Sequence, residues 1–379
     1  MSTLSFWERE ELLQCTVVVV GSGIIGLSAA ITIKEQHPHY DVVVLEREIL
    51  PAGASTKNAG FACYGSLTEI LHDVRVMGVE TATNIIAHRK RGLDMLRARL
   101  GDDNIGLEHN GGYELLWGTA SNAIQHIDMV NELMQPIFGK GYFAVNNELI
   151  SRFGFNPTQV EHIVTTQHEG GINSGKAIKN LALLATAKGV RLITGADVRS
   201  VEEHNGGVDV AVHRHVLNDT VCFRAERVVL CTNALATQLM PALAIKPARG
   251  QVLITHPIPQ LPFKGVFHFD EGFYYFRNVG NRVLFGGGRN LDIEGETTSE
   301  FQTTEHLQHN LDEYLRAVIL PGTDYTVDMR WAGIMGFNAN KLPIVQRISA
   351  NVVAGFGCNG MGVAIGSDIG AQAAELICA

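Results

Sequence analysis

The six cysteines, at positions 15, 63, 222, 231, 358 and 378, include no CxxC pair and no spacing suited to zinc ligands. A reducing cytoplasm is therefore the expected compartment. Apolar runs of membrane-spanning length are missing. Residues 1–14 carry Glu8, Glu10 and Glu11 among their apolar residues, and so lack the basic start and apolar block of a secretory signal. A soluble protein is expected, with no internal repeat, low-complexity tract or linker. Positive charge is also short. Thirty Lys and Arg against 39 Asp and Glu give a net charge of −9, which disfavours nucleic acid and anionic membrane surfaces and leaves a small molecule as the expected partner. The one marked excess is glycine, 40 of 379 residues, in a composition 46% hydrophobic and 18% charged that disfavours disorder, collagen and coiled coil. The length suits one large two-lobed unit or two domains.

The β-branched run Thr16-Val17-Val18-Val19-Val20 predicts a strand buried on both faces of a parallel sheet. It runs into Gly21-Ser22-Gly23-Ile24-Ile25-Gly26, then a helix-compatible stretch over 27–35, then a second buried strand over 41–45 that ends at Glu46. Two helices are expected across 67–99, a strand over 112–117, and helices over 121–134 and 175–188. Asn205-Gly206-Gly207 signals a hairpin. Val228-Val229-Leu230-Cys231 is a short buried strand followed by Thr232-Asn233-Ala234, a second turn suited to a ligand. Strands over 251–255, 273–276 and 282–285, a helix over 303–320, and a glycine-rich strand–turn–helix over 352–377 complete the chain. The fold class is α/β, with a Rossmann-like unit interleaved with an α+β unit on a mostly antiparallel sheet. The expected boundaries are 1–80, 150–245 and 330–379 for the first unit, and 81–149 and 246–329 for the second.

In Gly21-x-Gly23-x-x-Gly26 the first glycine makes the strand-to-helix turn. The second lets the backbone approach a pyrophosphate, and the third allows close helix–strand packing. The helix start offers unpaired N–H groups and a positive dipole end to phosphate. Glu46, twenty residues beyond Gly26 at the end of the second strand, is placed to accept ribose hydroxyls, and its charge argues against a 2′-phosphate. This pattern predicts a dinucleotide without separating NAD from FAD. Gly53-Ala54-Ser55-Thr56-Lys57-Asn58-Ala59-Gly60-Phe61 reads equally as a run lying along an extended cofactor or as a surface loop.

Taken together, these segments resemble the FAD-dependent D-amino-acid oxidase family, which includes glycine- and sarcosine-oxidase-like amine oxidoreductases. The resemblance covers nearly the whole chain. It rests on 21–26, Glu46-Arg47, Ala54-Ser55, Asn58-Ala59-Gly60, 111–115, 172–189, 196–198, 228–236, 246–251, 330–334 and 355–362, in that order and spacing. It implies that Gly21, Gly23, Ile24, Ile25 and Gly26 line the pyrophosphate, with Glu46 and Arg47 at the adenosine ribose. Ala54, Ser55, Asn58, Ala59, Gly60 and Phe61 would approach the phosphates and flavin ring, and Val198 would reach adenine through its backbone. Thr232 would join the cofactor site. Asn359, Gly360, Met361 and Gly362 would place a helix start near the pyrimidine end of the flavin. The glycines at 362, 366 and 370 would permit close approach to the cofactor or to neighbouring backbone.

The activity implied is oxidation of the C–N bond of an amine or amino acid, with noncovalent FAD and with oxygen or another electron acceptor. A dehydrogenase passing electrons to quinone, and a flavin-binding subunit of a heteromeric complex, are the alternatives. An oligomer is compatible with either. No side chain is required as acid or base. The family's carboxylate anchors are absent: Met335-Gly336-Phe337 follows Trp331-Ala332-Gly333-Ile334, and Cys358 and Gly362 stand where basic residues are found in relatives. Arg277 is then the candidate anchor, helped by Tyr274 or Tyr275, or else a surface-strand cation. If the substrate has no nearby carboxylate, Met335 and Phe337 form an apolar pocket, with Cys358 beside it. Lys57 and Lys246 read as solvated or phosphate-facing cations, with electrostatic activation of oxygen near a reduced flavin the alternative. His213 with His215 and His306 with His309 lack a third ligand, so no metal is expected.

Overall fold

The computed structural model describes residues 4–379 and contains two eight-stranded sheets, both of which contribute residues to one cavity. The predicted first strand is Gln14–Val20, in which Val17, Val18 and Val19 are fully buried. It sits between Val42–Glu46 and Asp219–Leu230, parallel to both. Arg191–Thr194 and Val352–Phe356 extend the parallel set on either side, and Ile344–Ser349 adds an antiparallel edge. The predicted hairpin joins Asp197–His204 to Gly207–Arg214 and extends the same sheet through Asp219–Leu230.

Helix Ile24–Gln36 and helix Gly362–Cys378 pack on one face of this sheet. The glycine spacing of the second helix explains how closely they approach. A Cβ at Gly366 would lie 2.8 Å from Ile24 Cγ2, and one at Gly370 would lie 2.5 Å from the Ile25 carbonyl oxygen. Those two glycines therefore serve helix contact, while Gly362 alone of the three faces the cavity. Helix Val79–Leu100 reaches the same layer, because a Cβ at Gly92 would lie 2.3 Å from the Ala364 carbonyl oxygen.

The second sheet runs in the order Val327–Phe337, Lys246–Thr255, Arg282–Gly287, Tyr274–Val279, Val266–Phe269, Gly112–Leu116, His162–Thr166, Ala144–Val145. Every pairing is antiparallel except that of Val266–Phe269 with Gly112–Leu116. Its outer face is an aromatic core of Phe155, Phe263, Phe267, Phe276 and Phe285, covered by Glu305–Tyr314 and the wider turn that follows to Ile319. Its inner face turns toward the first unit.

The expected boundaries shift in three places. Strands His162–Thr166 and Val327–Phe337 both hydrogen-bond within the second sheet, so residues near 150 and 330 lie on the other side of the division. Helix Val79–Leu100 packs with the first unit because its apolar stripe, Ile85, Ile86, Leu93 and Leu96, joins that core. The helix expected over 121–134 is a tight 3₁₀ stretch, Gly118–His126, followed by an α-helix, Ile127–Phe138. Among the described residues no helix is long and apolar enough to cross a membrane.

Candidate active site at the interface of the two sheets

In parallel α/β sheets, ligands collect beyond the carboxyl ends of the strands. Here the loops after Val20, Leu45, Leu230 and Phe356 all line one cavity of about 590 Å³, which the inner face of the second sheet closes. At one end the glycine turn is packed to its limit. Gly21 has φ +103°, and a Cβ at Gly26 would lie 1.9 Å from the Gly21 carbonyl oxygen. Gly26 accordingly sits behind the cavity wall, holding the helix start against the strand, whereas Gly21, Gly23, Ile24 and Ile25 line the cavity.

A Cβ at Gly23 would lie 2.9 Å from Ser55 Oγ, the atom that accepts a hydrogen bond from Ile24 N at 3.0 Å. Glu46 is held in place by donors from Ser22: N at 3.0 Å and Oγ at 2.7 Å reach its Oε2. Arg47, Ala54, Ser55, Val198 and Thr232 also line this half. Thr232 Oγ1 is buried and has no hydrogen-bond partner among the described residues, an open polar position in the wall.

Farther along, Asn58, Ala59, Gly60 and Phe61 face the second sheet, and Asn359, Gly360, Met361 and Gly362 lie across from them. The Asn58 side chain is committed to its own loop. Its Nδ2 donates to the Ala54 and Ser55 carbonyls at 2.9 Å, and its Oδ1 accepts from Gly60 N at 2.8 Å and Ser174 Oγ at 2.6 Å. Tyr275, Met335 and Cys358 line the cavity, as does Phe337.

Tyr274 and Arg277 lie elsewhere. Strand alternation turns Tyr274 to the outer face, where its hydroxyl donates to Asn310 Oδ1 at 2.7 Å and its ring stacks on Phe269. Arg277 is neither a surface cation nor a group in the cavity. Its buried guanidinium donates to the carbonyls of Gly60, Ile172 (2.8 Å) and Asn278 (3.0 Å), and burial lowers its pKa to about 10. It ties the second sheet to the Asn58–Phe61 loop, and Gly60 and Gly171 leave the room it occupies.

Two cavity residues escape a reading of the sequence. Arg289, just past the strand Arg282–Gly287, lines the cavity with its guanidinium 4.5 Å from the Phe337 ring centroid, and makes no ion pair among the described residues. Burial lowers its pKa. His268 sits among phenylalanines and reads as core, yet it lines the cavity on the face opposite to Phe267 and Phe269. The signal for His268 was available in the period-2 alternation of its strand. Arg289 offered none, since Gly288-Arg289-Asn290 reads as a turn. Of the two candidate lysines, Lys57 lines the cavity, with Nζ 5.5 Å from the Phe301 ring centroid, and Lys246 is exposed outside it.

A family model described as FAD dependent oxidoreductase, the D-amino-acid oxidase group, matches residues 16–376. The chain belongs to this family. A protein of Haemophilus influenzae (strain ATCC 51907 / DSM 11121 / KW20 / Rd) named probable oxidoreductase OrdL is 25% identical, over 95% of this chain and 82% of that protein. Gamma-glutamylputrescine oxidoreductase of Escherichia coli (strain K12) is 24% identical, over 97% and 84%. The crystal structure of L-proline dehydrogenase from P. horikoshii superposes with a TM-score of 0.77 at 17% identity, covering 96% of this chain and 93% of that one, and so shares the fold.

FAD is the family's cofactor, and the residues present fit it. The cradle at Gly23 would be filled by any Cβ, Glu46 stands at the end of the second strand, and the unpaired Thr232 hydroxyl faces the same space. The Cys358 thiol is pushed up to about 12 by burial, so it is not a thiolate at physiological pH.

Proposed function

We propose that this flavoenzyme oxidises the C–N bond of an amine or amino acid and returns the electrons to oxygen. FAD, when bound, supplies a two-electron acceptor for the hydride equivalent leaving the substrate carbon. The carbon–nitrogen bond becomes an imine, water hydrolyses the imine to a carbonyl compound and ammonia or an amine, and oxygen, taking up the two electrons and two protons, leaves as hydrogen peroxide.

The protein's own contribution is placement. Arg289 is the candidate carboxylate anchor in place of Arg277, because it is a cation in the cavity that makes no ion pair among the described residues. The Tyr275 hydroxyl, pushed up to about 12 by burial, stays protonated and can donate beside it. Phe61, Val252, Met335 and Phe337 supply apolar walls that exclude water. The unpaired Arg289 is the observation that carries this reading. It weighs against a noncatalytic flavin subunit, a reading that the lack of an anchor favoured. The names of the Escherichia coli relative and of the superposed dehydrogenase, which concern an amine and an amino acid, point the same way.

The second of those names keeps the dehydrogenase reading in play. The deciding experiment is to reduce the holoenzyme anaerobically with an amine and then to admit oxygen or a soluble quinone. Fast reoxidation by oxygen with one hydrogen peroxide per flavin supports the oxidase. Fast reoxidation by quinone with sluggish reaction toward oxygen would overturn it in favour of the dehydrogenase.

A further inference from the structure

The pairing register of the second sheet lays Trp331, Val252, Gly286, Tyr275, His268 and Glu114 in one row across five strand pairings. Directly opposed residues share a face, so this row forms part of the cavity wall toward the first unit. Gly286 leaves it open, since a Cβ there would lie 2.4 Å from Val252 Cγ1 and 2.7 Å from the Tyr275 ring.

His268 is 6% exposed, and its ring packs edge-on against Phe61 with centroids 5.1 Å apart. Its Nε2 is buried without a hydrogen-bond partner among the described residues. A buried polar atom left unpaired costs stability unless something else meets it, and here the open side is the cavity. The groups facing His268 do not meet it. Glu114 accepts from Thr68 N at 3.2 Å and from the Thr68 hydroxyl, Tyr275 keeps its proton, and the charge of Arg289 lies beyond Tyr275. Burial lowers the imidazole to about 4, so it is neutral at physiological pH and presents one acceptor nitrogen.

We propose that His268 accepts a hydrogen bond from the substrate's ammonium group, and so is the residue by which the cavity recognises the nitrogen. Tyr275 pairs with His268 in the register and feels the charge of Arg289. The two recognition points thus line one cavity and share Tyr275 as a neighbour. An uncharged acceptor and a cation in one cavity select a substrate carrying an ammonium and a carboxylate. The inference rests on the amine-oxidation reading. It concerns a contact to substrate and leaves cofactor binding to other residues.

The test uses three probes that have no hydrogen on the reacting carbon and therefore cannot turn over: tert-butylamine, 2-methylalanine and pivalate. Their binding to the FAD-loaded protein is read from the shift in visible flavin absorption. In His268→Phe, which keeps a ring against Phe61, tert-butylamine and 2-methylalanine should bind about tenfold or more weakly while pivalate is unchanged. His268→Gln, which restores an acceptor, should recover most of the loss. His268→Leu gives the same comparison should the phenylalanine variant lose FAD. Unchanged tert-butylamine binding, equal weakening of pivalate, or no binding of either ammonium probe by the wild type would each overturn the proposal. If amines bleach the wild-type flavin and only these binding results fail, the inference falls alone. If no amine bleaches it, the amine-oxidation reading falls first.

Discussion

Replacing Arg277 and Arg289 one at a time by methionine separates a structural arginine from a binding one. Arg277 makes three donor bonds to backbone carbonyls in a buried setting. At about 1 kcal/mol net per bond, with a further penalty for leaving the Gly60 and Ile172 carbonyls underpaired, Arg277→Met should cost about 3–5 kcal/mol. For a chain of this size that is a fall of about 4–6 °C in thermal midpoint. FAD occupancy should fall with it, because the Gly60 carbonyl belongs to the loop that lines the cavity. Arg289 makes no such bonds, so Arg289→Met should leave the midpoint within about 2 °C. Its effect should instead appear as a KM for carboxylated amines raised about tenfold to a hundredfold, with plain amines little changed. Scanning fluorimetry and steady-state kinetics on a matched pair, such as an amino acid and its decarboxylated amine, read both. A stable Arg277→Met with selectively raised KM for the carboxylated substrate would refute the assignment and return Arg277 to the substrate site.

Three further outcomes are expected. Gly23→Val should fail to retain FAD, since even the first added carbon lies 2.9 Å from Ser55 Oγ; full flavin occupancy in that variant would contradict the pyrophosphate assignment. Burial raises Glu169 to about 8 and Glu114 to about 7, so the fold keeps both protonated where an unfolded chain would ionise them. These two groups should therefore make stability decline as pH rises from about 4.5 to about 8 and level off above that, with His268 opposing the trend below about 6.5, and Glu169→Gln should flatten the decline in thermal midpoint. Acid precipitation should release all flavin from the wild type and from Cys358→Ser alike; flavin left in the wild-type pellet but not in the variant would show a covalent tether.

The glycine turn was legible in the sequence because strand, turn and helix each demand particular residues in a fixed order. The valine run Val17–Val20, the three glycines and Glu46 all fall where that logic places them. The second sheet was legible as strands, while its pairing was not, because His162–Thr166 and Val327–Phe337 join it across long sequence separations that periodicity does not encode. Alternation could assign Tyr274 and Tyr275 to opposite faces without saying which face held the cavity. Arg277 and Arg289 are equally basic in the sequence. Only the fold shows that carbonyls of Gly60 and Ile172 surround one, and an aromatic ring and open space the other. The small-residue spacing at Gly366 and Gly370 was readable as close approach, and the partner, helix Ile24–Gln36, required the structure.

The most direct measurement is the visible spectrum of the purified, FAD-supplied protein, followed anaerobically while D-amino acids, N-methyl amino acids and polyamines are added in turn. An oxidised-flavin spectrum that bleaches with one of these pools is the predicted result. No flavin bound after FAD is supplied would contradict the cofactor site, and a bound flavin that none of the pools bleaches would contradict the proposed amine oxidation.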